Sequence, residues 1–69
     1  MSLKEIVLNE WNDSGDVIMM RSFLDKVRMH TGDRIYDATI LRTVRRLRQD
    51  MDINYIVINN KRSIYQKIS

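Results

Sequence analysis

Apolar positions along this chain fall first at helical and then at strand spacing. Leu3, Ile6, Val7 and Trp11 lie three or four residues apart or adjacent across such a step, the pattern of one helix face. Ser2-Leu3-Lys4-Glu5 fits a capping box, in which the serine oxygen accepts from the N3 amide and the glutamate reaches back. Asn12-Asp13-Ser14-Gly15 stops this first helix. Asp16-Val17-Ile18-Met19 is short and apolar, and reads either as an isolated extended piece or as the lead-in to the next helix. Met20, Phe23, Leu24 and Val27 then recur at i, i+3, i+4 and i+7, which predicts a second helix from about Met20 to Thr31. Ser22 with Asp25 offers a further cap. His30-Thr31-Gly32-Asp33 ends the helix, with Gly32 suited to the left-handed position that closes it.

The third helix is predicted over residues 37–50. At about 100° per residue, Ile40, Val44, Leu47 and Met51 share one narrow stripe. Ala38, Thr39, Arg42, Arg45, Arg46 and Gln49 fall on the opposite side, three arginines with small and amide side chains at the ends and no acid between them. Asp37 stands at the start, where a carboxylate suits the helix dipole, and Arg48 flanks the core stripe. Beyond the helix the period changes. Asn54-Tyr55-Ile56-Val57-Ile58 is β-branched and aromatic, Asn59-Asn60-Lys61-Arg62 is polar, and Ser63-Ile64-Tyr65-Gln66 is again strand-like. This predicts a β-hairpin with asparagines as turn residues and two adjacent cations at the tip. Pairing Val57 with Ile64 and Ile56 with Tyr65 fits a two- or four-residue loop.

Sixty-nine residues support one domain spanning 1–69, since a second would lack a core. Zero cysteines exclude disulfides and thiolate metal sites and favour a cytoplasmic setting. No membrane span and no signal peptide are expected, because the apolar runs fall far short of about 20 residues. The lone His30 has no partner at ligand spacing, so neither metal nor other cofactor is expected. Asp13 and Asp16 around Gly15 read as turn residues, and no nucleophile–histidine–carboxylate arrangement stands out. Enzymatic activity is not expected. Trp11, Phe23 and the methionines are assigned to the core, except Met29. That residue lies opposite the second helix's stripe, which leaves it exposed or at an oligomer contact.

Charge adds the functional signal. Residues 1–40 carry five basic and seven acidic side chains, residues 41–69 seven basic and two acidic. The overall +3 therefore hides a basic carboxy-terminal part, mostly arginine, that suits a polyanion. A solvated basic face is the plain alternative.

Three helices followed by a hairpin, with Ala38-Thr39-Ile40-Leu41-Arg42-Thr43-Val44-Arg45-Arg46-Leu47-Arg48 as a basic third helix, resemble the winged helix-turn-helix superfamily over essentially the whole chain. The resemblance implies an α+β fold with a C-terminal β-hairpin wing. In it the second and third helices form the helix-turn-helix, the third enters the major groove, and residues 16–19 match the first strand of the wing sheet. The connection Gly32-Asp33-Arg34-Ile35-Tyr36 is longer than the tightest turns of that superfamily.

The partner so implied is double-stranded DNA. Thr39 offers a methyl or hydroxyl to a base, and Arg42 is placed for a bidentate guanine contact. Arg45 and Arg46 face phosphates, with Ala38 and Gln49 on the same face. Asn60, Lys61 and Arg62 at the wing tip meet backbone or minor groove, and Tyr36 either donates to a phosphate or packs at the helix start. A winged-helix protein-docking module is the alternative reading. Structured RNA is a third, disfavoured because the A-form major groove is too narrow for side-chain readout. A monomer is expected, or a weak homodimer through the first helix around Leu8 and Trp11 that pairs on DNA.

Overall fold

The computed structural model describes residues 2–32 and 34–68. The elements are α1 (Leu3–Asp13), β1 (Val17–Met19), α2 (Met20–Thr31), α3 (Asp37–Gln49), β2 (Tyr55–Asn59) and β3 (Ile64–Lys67). The three strands form one antiparallel sheet in the order β1-β3-β2. This is an α+β fold of three helices with a C-terminal hairpin, the winged helix-turn-helix arrangement the sequence predicts. Of the two readings left open for residues 16–19, the extended one holds: Ile18 pairs with Tyr65 and Met19 with Ile64.

Each helix begins and ends for a local reason. In α1 the Ser2 hydroxyl accepts from the Glu5 amide at 3.2 Å, the serine half of the predicted capping box. The Ser14 amide closes the other end on the Glu10 and Trp11 carbonyls. The proposed Ser22–Asp25 cap is not formed, because α2 starts two residues before Ser22. Met19 precedes that start without a side-chain cap, and the Met20 amide donates to the Ser63 carbonyl at 2.9 Å. The chain thus turns from β1 straight into α2, so sheet pairing replaces a polar cap. Gly32 ends α2 with φ 85°, its amide donating to the Arg28 carbonyl. Asp33 lies outside the described residues.

α1 packs against both α2 and α3. The core is Val7 and Trp11 from α1, Ile18, then Met20, Phe23, Leu24 and Val27 from α2, with Ile40, Val44 and Leu47 from α3, closed by Ile53 and Tyr55. Every stripe residue expected from α1 to α3 is buried or packed against this cluster except Met51. Trp11 meets Phe23 edge-on at a centroid distance of 5.8 Å and Tyr55 at 5.5 Å, joining α1 to α2 and to the sheet. The Lys67 ammonium lies over the Trp11 ring, 5.9 Å from its centroid, and donates to the Ser14 carbonyl at 2.7 Å.

Four local expectations are corrected. Met51 is 92% exposed, since α3 ends at Gln49 and Met51 adopts φ 64°, out of helical phase. Among the other described methionines only Met20 is buried; Met19 and Met29 are exposed, as expected for Met29 alone. The hairpin register is also shifted: Ile56 pairs with Gln66, Val57 with Tyr65 and Asn59 with Ile64. A bulge at Ile58 takes up the extra residue. The left-handed turn residue is Ser63 (φ 53°) rather than an asparagine, while Asn59 Oδ1 accepts from the Arg62 amide at 3.0 Å.

Candidate nucleic-acid interface

α3 turns its buried stripe inward and leaves a ridge of Ala38, Arg42, Arg45 and Gln49 exposed to solvent. Arg46 is exposed beside the ridge. Thr39 is half-buried, and its carbonyl accepts from the Thr43 hydroxyl at 3.0 Å. Among the described residues neither Arg42 nor Arg45 has an acidic partner, so both guanidiniums are free to meet an anion. Arg46 differs: its Nε lies 3.6 Å from Asp50 Oδ2, one turn on. The predicted acid-free face is therefore closed at its end by Asp50, which also pairs with Lys4 at 3.3 Å.

Concave basic ground lies on both flanks of the ridge. On one side Arg42, Thr43 and Arg46 of α3 meet Lys4 of α1 around a shallow cleft. On the other, a groove of about 480 Å³ runs between the start of α2, the first turn of α3 and the base of the wing. Arg21, Arg28, Lys61 and Arg62 line it together with Asp37 and Leu41. Arg28 is spent on structure, since it bridges Asp25 at 2.5 Å and Asp37 across the connection between α2 and α3. That bridge ties the two helices of the helix-turn-helix together, and the short α2–α3 contact otherwise rests on the core residues.

Sequence reasoning placed Asn60, Lys61 and Arg62 at the wing tip, and all three are exposed there. The structure joins Lys61 and Arg62 to Arg21 rather than to Arg42, which lies on the opposite flank of α3. Arg21 and Lys4 were not among the expected site residues. A signal for Arg21 existed, because it lies outside the Met20-Phe23-Leu24-Val27 stripe on the first turn of α2. Lys4 gave none, since its approach to α3 depends on how α1 crosses that helix. Tyr36 is 79% exposed immediately before α3, which removes the packing alternative and leaves its hydroxyl accessible.

Chemically, the ridge offers a guanidinium able to grip a base edge or phosphate in two-pronged fashion, with flanking cations and amides at helix-turn distances. Among the described residues no cluster of histidine and carboxylates is arranged to hold a metal, and no helix is long and apolar enough to cross a membrane. No family model, no curated protein and no solved structure matches the chain.

Proposed function

We propose that the chain is a sequence-specific double-stranded DNA-binding protein, a small transcriptional regulator of the winged helix-turn-helix type working in the cytoplasm. α3 enters the major groove, and the wing tip runs along the backbone. The observation that carries this reading is the exposed α3 ridge with two unpaired arginines, Arg42 and Arg45, on the helix that this arrangement presents outward. A helix fits the roughly 12 Å major groove, where side chains near its start reach base edges.

Arg42 then takes a guanine, with Thr39 and Ala38 beside it on the approach to the bases. Arg45, Arg46 and Gln49 meet phosphates along the groove walls. On the wing side Asn60, Lys61 and Arg62, joined by Arg21 across the groove, hold the adjacent backbone. The ion pair with Asp50 weakens Arg46 as a phosphate ligand and makes it secondary to Arg45. The protein binds as a monomer or as a weak homodimer that pairs on DNA, since one α3 covers only a few base pairs.

Nuclear magnetic resonance titration with a short duplex tests the assignment directly. Shifts are expected on the 38–49 ridge, at residues 60–62 and at Arg21. Shifts confined to α1, or none at millimolar duplex, would remove the DNA reading and favour a protein-docking role for the same faces.

A further inference from the structure

Of the association surface expected on α1, Trp11 is 3% exposed and Leu8 is half-buried against the core. A different surface is open. β2 is an edge of the sheet, and its Ile56, Val57 and Ile58 are 45%, 46% and 49% exposed. Edge strands are ordinarily guarded by charge, proline, shortness or a bulge. The other edge, β1, is guarded by its length of three residues and by the immediate turn into α2. β2 has a single guard, the bulge at Ile58, and residues 54–60 contain no charged side chain and no proline.

We propose that β2 is a self-association edge, on which two copies pair their β2 strands antiparallel about Val57 and extend the sheet from three strands to six. The strand is complementary to itself. A two-fold axis through Val57 sets Ile56 against Ile58 at the bulge, apolar against apolar, and Tyr55 against Asn59, with no like charges opposed. The flanks favour the same arrangement. Asp50 and Asp52, which share Lys4 within their own chain at 3.3 and 3.7 Å, precede the strand, and Lys61 and Arg62 follow it in the turn. Antiparallel pairing carries the Arg62 end of one copy to the Asp52 end of the other, twice over. A parallel arrangement would stack acid on acid and base on base. This charge order selects a second copy as the occupant.

Two five-residue edges cover much less than the roughly 800 Å² per partner of a standard interface. The dimer is accordingly weak, populated at a few hundred micromolar and dissociated near one micromolar. The inference does not rest on DNA binding. Because DNA and self-pairing would draw on the same Arg62, association is measured without DNA.

Sedimentation equilibrium from about 1 to 500 µM should give a reversible monomer–dimer equilibrium. Val57→Lys opposes two ammonium groups at the axis and should weaken association at least about tenfold while the circular dichroism spectrum stays native. Arg62→Asp should weaken it several-fold, and the exchange D52R/R62D should restore it. Independently of any variant, amide exchange in residues 55–59 of the unaltered protein should slow as concentration rises. A monomer throughout the range overturns the proposal. So does a dimer indifferent to Val57→Lys, or one whose 55–59 amides exchange at the same rate at every concentration.

Discussion

The guanidinium of Arg48 lies 4.5 Å from the centroid of the Tyr55 ring, and this contact sets it apart from the other arginines of α3. Tyr55 is buried and touches Trp11 on one side and Tyr65, at 5.1 Å, on the other. Arg48 therefore covers a cluster of three rings that joins α1 to the sheet. A cation over an aromatic face contributes about 0.5–1 kcal/mol at exposed sites. Arg48→Ala is expected to lower unfolding stability by about that amount and to leave affinity for duplex DNA little changed. Arg45→Ala should do the reverse, with stability moved by no more than about 0.5 kcal/mol. Urea denaturation of the two variants side by side checks this; equal losses of stability would contradict it.

Leu47 and Met51 share a helical angle in the sequence, yet one is fully buried and the other almost fully exposed. Leu47→Ala should cost about 2–5 kcal/mol through lost burial and the cavity left behind. In a domain this small that is a large part of total stability. Met51→Ala should cost less than about 0.5 kcal/mol. Thermal unfolding of both variants distinguishes the two positions, and a large loss for Met51→Ala would return that residue to the core stripe.

These two residues also show how far the sequence is legible. Helical period identified α1, α2, α3 and their inward faces, because each helix must bury one stripe and the stripes are unbroken within it. Met51 failed for a local reason: the period holds only while the backbone is helical, and the Asp50 end of α3 with φ 64° at Met51 breaks the phase. The hairpin failed similarly: the turn at 60–63 sets Asn59 against Ile64, two residues from the expected register, the bulge at Ile58 takes one of them back, and no residue type announces either. The arginine ridge was readable because exposure is the complement of the buried stripe. The grouping of Arg21 with Lys61 and Arg62, and the capture of Arg46 by Asp50, were only partly legible. The first depends on how the elements cross, and the second on an acid just outside the predicted face.

Both glycines stand in turns, but only Gly32 has a backbone that other residues avoid, with φ 85° and ψ 171°. A Cβ at either position would meet nothing within 4 Å, so steric crowding is not the issue. Gly32→Ala should cost about 1–3 kcal/mol from backbone strain alone. Gly15→Ala should be neutral or stabilise by about 0.4–1 kcal/mol, since it restricts the unfolded chain. Chemical denaturation gives both values, and equal effects would contradict the distinction.

Arg42 on the α3 ridge and Arg62 at the wing tip are assigned different roles, base contact and backbone contact. Arg42→Ala should cost about 1–3 kcal/mol on a preferred site and little on random DNA, flattening a selected-sequence profile at one position. Arg62→Ala should weaken both kinds of DNA alike and keep the profile intact. Both side chains are exposed, so both variants should melt close to the parent. An unchanged profile for Arg42→Ala would show that α3 does not read bases.

The central claim, that α3 and the wing form a surface for duplex DNA, is tested most directly by titrating a fluorescent duplex across a salt series. About four to six phosphate contacts from Arg45, Arg46, Lys61, Arg62 and their neighbours predict a log–log slope of affinity against salt of roughly −4 to −5. Absence of binding at tens of micromolar protein in low salt would contradict the claim, as would binding whose affinity does not fall with salt.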